Sequence, residues 1–97
     1  LSRQGKKHWF DSMHTKLRLA ATHVAVVVVF TAVYTALHRA DPGHFGGAAF
    51  DPVYFAAITH TSLGFGDIIP RTRLARSIVV VHTAVSLAVT VAFLKMA

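Results

Sequence analysis

Two glycines at alternate positions, Gly64 and Gly66, are the residues of this sequence whose spacing points most directly to chemistry. They belong to the stretch Ser62-Leu63-Gly64-Phe65-Gly66, and glycine adopts backbone angles that residues with a Cβ resist. Alternating such angles lets backbone carbonyl groups point the same way. A row of carbonyl oxygens can replace the water around a cation. The stretch therefore predicts a backbone site for a dehydrated ion.

The segment in front of these glycines has the features of a short helix. Asp51 is a residue type that caps helix N-termini, and Pro52 suits the first helical position. We expect this helix to cover residues 51–61 and the ion site to cover residues 62–66. Apolar segments on both sides are each long enough to cross a membrane. The arrangement predicts a loop that enters the membrane and returns to the same side.

The ion site resembles the potassium-channel filter TVGYG, with Ser62, Leu63 and Phe65 in place of Thr, Val and Tyr. Asp67 follows the filter, as it does in that family. A wider set of residues is similar to the miniature potassium channels encoded by large viruses of algae: Tyr54-Phe55, Thr59-His60-Thr61, the run from Gly64 to Pro70, Thr72 and His82. The similarity extends from Phe50 to roughly Ala92, whereas the flanking helices match only in hydropathy and length.

This resemblance implies a passive K+ channel in which K+ is the transported ion and no other cofactor takes part. The ion would sit at the carbonyls of Ser62, Leu63, Gly64 and Phe65, with Gly66 completing the filter. Asp67 would attract cations at the outer mouth of the channel. The residues expected to support the filter are Tyr54, Phe55, Thr59 and Thr61. Phe65 is also expected to pack behind the filter.

A homotetramer is expected on physical grounds. Non-helical backbone is tolerated at membrane depth only where it lines water or is buried in protein, and one copy of the loop has neither. Four copies around an axis provide both. The expected fold class is therefore an all-α membrane protein, with two transmembrane helices flanking a re-entrant pore helix and filter in each of four subunits.

Composition agrees with a membrane location. The chain has 97 residues, of which 54% are hydrophobic, and its mean hydropathy is +0.51. It has no cysteine, so a disulfide framework and a thiolate metal site are excluded. The net charge of +6 is compatible with nucleic acid or with anionic lipid. Lipid is the better interpretation, because five basic residues directly precede the first apolar run: Arg3, Lys6, Lys7, Lys16 and Arg18.

Residues 1–18 are expected to form a basic, amphipathic, interfacial helix, with Trp9, Phe10, Met13 and Leu17 recurring at helical spacing. A solvated basic tail is the alternative. Residues 19–97 form the expected pore domain, whose outer helix is 19–38. A basic start before an apolar run also fits a secretory signal peptide, but this run is longer than a typical signal core.

The inner helix is expected over residues 74–96. Thr83, Ser86 and Thr90 recur at helical spacing and would line a central cavity, although small hydroxyl residues also help helices to approach one another in lipid. We expect His82 to be a buried neutral histidine between subunits. His23 is expected to hydrogen bond to a neighbouring helix.

The outer side of the membrane is assigned to the filter and to the turn-rich loop from Arg39 to Gly47, in which His44 is expected to be solvated. Both termini would then be cytoplasmic, a topology to which the distribution of basic residues adds only weak support. A viral channel of this kind would lie in a host-cell or virion membrane. Because the sequence ends two residues after Lys95, we expect no appended gating domain and place gating at the filter or the inner mouth.

Asp67 has an alternative interpretation as a surface carboxylate paired with an arginine. Many members of the family place a carboxylate on the pore helix to pair with this aspartate, but Ile58 occupies that position here. The family's pairing is therefore not expected in this chain.

Other functions fit the sequence less well. An enzyme is not expected, because Gly64-x-Gly66 lacks the rest of a phosphate-binding motif and no metalloprotease spacing is present. No small-molecule substrate or nucleic acid is implied. The alternatives left open are a nonselective cation channel of the same architecture and a structural or lytic membrane hairpin.

Overall fold

Three α-helices and a short antiparallel ribbon form the chain in the computed structural model, which describes the backbone of residues 2–96 and the side chains of residues 2–95. The elements follow in the order α1 (Arg3–Ala40), a 3-10 turn (Pro42–His44), β1 (Phe45–Gly47), α2 (Pro52–His60), β2 (Ile68–Pro70) and α3 (Arg73–Met96). Two long helices thus flank a short helix and the loop that follows it. The predicted helical fold class is confirmed.

Helix α1 is a single helix of 38 residues. Its first turn is capped by Ser2, whose hydroxyl oxygen accepts a hydrogen bond from the Gly5 N–H at 3.0 Å. A helix of this length measures ~57 Å, and the longest dimension of the molecule is 59 Å, so α1 is nearly straight. The expected interfacial helix, 1–18, continues into the expected outer helix, 19–38, without a break. Its location at a membrane interface stays a prediction.

The apolar side chains of the two long helices are mostly exposed in the single chain. Arg3–Ala40 and Arg73–Lys95 each contain a stretch long and apolar enough to cross a membrane. A helix in water turns its apolar side chains toward a core, whereas a helix in lipid has no such requirement. Large exposed side chains are spread over both helices: Val24, Val28 and Val29 of α1, and Val80, Val81, Leu87, Val91 and Leu94 of α3. These helices are the two predicted spans.

The buried core lies at one end of the molecule, where α2 packs between α1 and α3. Tyr34 of α1 is fully buried and its ring meets the Phe55 ring of α2 edge to face, with centroids 5.0 Å apart. Phe45 of β1 also lies edge to face with Tyr34, at 6.0 Å. Aromatic pairs of this geometry add to the stabilisation that burial gives. The cluster therefore ties α2 to the outer helix and to the ribbon.

The ribbon between β1 and β2 was not predicted. It pairs Phe45 with Pro70, Gly46 with Ile69 and Gly47 with Ile68. The expectation that His44 is solvated is wrong, because its ring bonds to the Thr72 hydroxyl and its carbonyl accepts from the Arg71 N–H at 2.8 Å. Thr72 also caps α3 by accepting a hydrogen bond from the Ala75 N–H. The ribbon thereby joins the two segments that flank α2 and residues 62–66.

We predict that Gly47→Ala destabilises this ribbon. Gly47 has a φ of 91°, and a Cβ added there would lie 2.2 Å from the Asp67 carbonyl oxygen. A forced conformation of this kind costs about 1–3 kcal/mol. The expected result is a lower melting temperature of the detergent-solubilised protein in differential scanning fluorimetry. Ala49→Gly, in the exposed loop after β1, is the control; equal melting temperatures for Gly47→Ala and the wild type would contradict the prediction.

Candidate functional site

The segment Ser62–Gly66 exposes its backbone in the single chain. Every residue from Thr61 to Asp67 is exposed, including Leu63 at 61% and Phe65 at 67%. Among the described residues 2–96, no hydrogen bond ends at the carbonyl oxygen of any residue from Thr61 to Gly66. Six consecutive acceptors are therefore available to a ligand, to water or to another chain.

The segment begins as the C-terminal cap of α2. The Leu63 N–H donates to the Ile58 carbonyl at 2.9 Å, and the Ser62 N–H donates to the Thr59 carbonyl at 3.1 Å. These are the two hydrogen bonds of a Schellman motif, in which the residue after the cap adopts a left-handed conformation. Ser62 fills that position with a φ of 63°. Glycine usually occupies it, because a Cβ costs roughly 1–2 kcal/mol there.

Left-handed and ordinary backbone alternate along the segment. Gly64 has a φ of 49° and Gly66 a φ of 78°, while Ser62 is the one described non-glycine residue with a positive φ. The glycine angles follow the sequence prediction, and that of Ser62 extends the alternation by one residue. The sequence contained a signal for the positive φ of Ser62, because a helix of the expected length ends directly before this residue. Alternation of this kind turns successive carbonyls toward one side of the segment.

Asp67 is held by three hydrogen bonds behind the last glycine. Its carboxylate accepts from the Tyr54 hydroxyl at 2.7 Å and from the Ile68 N–H at 3.2 Å, and its carbonyl accepts from the Ala48 N–H at 2.7 Å. The hydrogen bond to Asp67 raises the pKa of the Tyr54 phenol, and partial burial and the Asp67 charge raise this pKa further. The carboxylate bonds to a tyrosine, whereas the alternative interpretation paired it with an arginine.

Tyr54 was expected to support the filter, but its hydrogen bond to Asp67 was not predicted from the sequence. The carboxylate position aligns with Ile58, which is buried and apolar here. Tyr54 lies one turn earlier on α2, so the two residues share a face of the helix. A phenol is long enough to reach Asp67 from that position. The spacing was therefore visible in the sequence, although the residue type differed from the expected one.

A recess of ≈ 410 Å³ separates the back of the segment from α3. Phe55 and Thr59 line it from α2, and both are buried. Thr83 lies on the same recess and its hydroxyl donates to the Val80 carbonyl. Phe65 is exposed, so its own chain does not provide the surface on which it was expected to pack.

A second recess of ≈ 510 Å³, the inner recess, lies where α2 ends. Its lining includes Ser62, Ser86 and Thr90 together with His23, His60, Thr61 and Leu87. Ser86 is nearly buried and its hydroxyl donates to the His60 carbonyl at 2.6 Å. The Thr90 hydroxyl donates to the Ser86 carbonyl, and that of Thr61 to the Ala57 carbonyl. Ser62 lines both recesses, and it shares the inner one with Ser86 and Thr90 and the other one with Thr83.

The location of His82 differs from the expectation. It is fully buried within a single chain, where the Tyr34 hydroxyl lies 2.8 Å from its Nδ1 and its ring stacks on Phe30 at 4.1 Å. The prediction that it lies between subunits is wrong, because α1 supplies an aromatic pocket for it. The predicted hydrogen bond of His23 to a neighbouring helix is confirmed, with its Nδ1 2.7 Å from Nε2 of His60.

Comparisons with known proteins agree with this geometry. A family model described as "Ion channel" matches residues 22–97. The chain is similar to the "Potassium channel protein kcv" of Paramecium bursaria Chlorella virus 1, with 27% identity over 80 residues, which cover 75% of this chain and 85% of the relative. No solved structure gives a significant match.

We predict that Asp67→Asn lowers the pKa of Tyr54. The Asp67 hydrogen bond is the largest cause that raises this pKa, and an amide is a weaker acceptor without charge. Because the pKa of Tyr54 is raised in the folded protein, the hydrogen bond stabilises the fold at pH values below the ordinary tyrosine pKa. This stabilisation is lost as the pH rises through the raised pKa.

The measurement is a titration of tyrosinate absorbance in detergent, with Tyr54→Phe identifying the signal, since the chain has only two tyrosines. Identical Tyr54 titrations in the wild type and Asp67→Asn would show that the two side chains do not interact in solution.

Proposed function

Because the chain belongs to the ion channel family, we propose that it forms a K+-selective channel that conducts passively across a membrane. Ions would pass along the carbonyl oxygens of residues 62–66. The observation that carries the proposal is the run of consecutive carbonyls that accept no hydrogen bond in the described chain, on backbone that alternates between left-handed and ordinary conformations. Oxygen rings built from such carbonyls can replace the hydration shell of K+.

The proposed ion sites follow from this backbone. K+ would bind between rings formed by the carbonyls of Ser62, Leu63, Gly64 and Phe65, with the Ser62 hydroxyl completing the innermost ring. Helix α2 ends at His60, and the negative end of its dipole favours a cation near Thr61. The permeant ion is cargo, and the proposal includes no other cofactor.

A homotetramer follows from the exposure of this segment. Unpaired carbonyls at membrane depth must line water or be buried in protein, and in one chain they do neither. Four copies around an axis would enclose an aqueous path between their filters. The exposed Phe65 ring and the recess behind the filter would then meet a neighbouring subunit.

The remaining assigned roles depend on that assembly. A ring of four Asp67 carboxylates would raise the local cation concentration at the outer mouth. Tyr54, Phe55 and Thr59 would support the filter from behind, and Thr61 from its inner end. Thr83, Ser86 and Thr90 would lie along the cavity, with the Ser86 hydroxyl already bonded to α2.

The proposed topology places both termini on the cytoplasmic side and the filter at the outer side. If the source is viral, the membrane is that of the host cell or of the virion. An impermeant reagent that labels a single cysteine introduced at Ser2 or at Gly43 would report the two sides separately, since the natural chain has no cysteine.

The decisive experiment is single-channel recording of the purified protein in planar bilayers. In asymmetric K+ and Na+, a reversal potential close to the K+ equilibrium potential is the predicted result. With K+ on one side of the bilayer and an equal concentration of Na+ on the other, a reversal potential near zero would instead identify a nonselective cation channel. Leakage without discrete current steps would identify a membrane-disrupting hairpin, and either result would overturn the proposed selectivity.

We predict that Gly64→Ala and Gly66→Ala each abolish this current without preventing tetramer formation. No atom lies within 4 Å of a Cβ added at either glycine, so a steric clash is not the reason. The positive φ costs an alanine roughly 1–2 kcal/mol per substitution. Relief of this strain would change the backbone angles and therefore the orientation of the carbonyls. Gly5→Ala, within α1 where alanine is favoured, is the control. Unchanged K+ current in Gly66→Ala would refute the filter assignment.

A further inference from the structure

Three histidines and a tyrosine form a continuous hydrogen-bonded chain that links all three helices. Nδ1 of His23 in α1 lies 2.7 Å from Nε2 of His60 in α2. Nδ1 of His60 lies 3.1 Å from Nε2 of His82 in α3. Nδ1 of His82 lies 2.8 Å from the Tyr34 hydroxyl, which returns the chain to α1. We call this set of four residues the histidine chain.

The direction of the hydrogen bonds is fixed by Tyr34. Its hydroxyl is fully buried, and within residues 2–95 its one recorded partner is His82. A buried hydroxyl that did not donate would leave its hydrogen unpaired. Tyr34 therefore donates to Nδ1 of His82, and each histidine then donates from Nε2 to the next Nδ1. His23 is the last acceptor, and its own Nε2–H is left for the inner recess, which it lines.

His60 is the point at which the histidine chain meets the filter. Its two ring nitrogens bond to the two spans, and its carbonyl accepts from Ser86 of α3. It is nearly buried and lies two residues before Ser62. The Schellman motif fixes the backbone of Ser62 relative to the last turn of α2. A displacement of His60 would therefore displace the innermost carbonyls of the segment.

We propose that the hydrogen bond from His60 to His23 positions the inner end of the filter, with His23 acting as an acceptor that anchors the pore helix to the outer span. The inference depends on the proposed function, since it assigns these residues a part in keeping the filter conductive. The buried end of the histidine chain, Tyr34 and His82, lies in the aromatic core and serves stability. The His23 end borders the inner recess, so the last turn of α2 has room to shift when this bond is absent, while the aromatic cluster still holds the rest of α2 to α1.

The role of His23 as an acceptor has a chemical consequence. A hydrogen on its Nδ1 would set two N–H groups against each other and break the link. The side chain at this position must therefore offer an acceptor to Nε2 of His60.

Two substitutions separate this role from simple packing. Asparagine places its side-chain oxygen near the position of Nδ1, so His23→Asn keeps an acceptor for His60. His23→Leu keeps the volume and removes the acceptor. His14→Leu, on an exposed part of the same helix, is the control for the replacement of a histidine by leucine.

The test is single-channel recording of these variants in bilayers, beside an assay for tetramers. We expect His23→Asn and His14→Leu to open like the wild type. For His23→Leu we expect an open probability about three- to tenfold lower, the effect of one hydrogen bond, with K+ selectivity retained. Wild-type open probability in His23→Leu, or an open probability in His23→Asn as low as that of His23→Leu, would overturn the proposal.

A measurement that does not depend on conduction distinguishes this proposal from the proposed function. Nitrogen-15 NMR of histidine-labelled protein in lipid reports which ring nitrogens carry hydrogen. We expect His23, His60 and His82 each to carry hydrogen on Nε2 and to accept at Nδ1. A different tautomer of His60 would refute the histidine chain even if the protein conducts K+. The expected tautomers in a protein that does not select K+ would instead count against the proposed function alone.

Discussion

Backbone carbonyl groups that have no hydrogen-bond partner are stable within a membrane only where an ion, water or protein meets them. Most of this chain satisfies that constraint with helices, in which the backbone pairs with itself. Residues 62–66 do not, and the rest of the structure is arranged so that this short segment can stay open. The chain supplies two spans that can face lipid, a short helix that delivers the segment, and a ribbon that holds its far end.

Each end of the segment is fastened by a different kind of contact. At the inner end, backbone N–H groups of Ser62 and Leu63 close the last turn of α2, and His60 joins that turn to both spans. At the outer end, Asp67 is held by the Tyr54 phenol and by the amide of Ala48. The Gly64 N–H also bonds to the Ile58 carbonyl, whereas Phe65 and Gly66 have no hydrogen bond among the described residues. Rigid ends and an open middle are what a backbone site for a mobile ion requires.

The sequence predicted the parts of this structure that depend on local signals. Two long apolar runs gave the spans, Asp51-Pro52 gave the start of α2, and the alternating glycines gave positive φ angles at both positions. Contacts between distant residues were harder to predict. The Tyr54 to Asp67 bond was missed because only the carboxylate position of the family was considered, and Ile58 occupies it. His82 was placed between subunits because hydropathy does not show which buried face meets α1. The short ribbon was missed because strands of three residues carry no periodic pattern.

The Schellman motif at Ser62 also bears on the order in which the pore is built. Its hydrogen bonds join residues only three and five positions apart, whereas the bond from Ala48 to Asp67 closes a much longer loop. Short loops close at a smaller entropic cost and therefore earlier in folding. The inner half of the segment thus takes shape within a single newly made chain, as soon as α2 forms. The outer half is completed when the ribbon pairs. In the proposed tetramer, association of the chains would then act on a segment whose innermost carbonyls are already oriented.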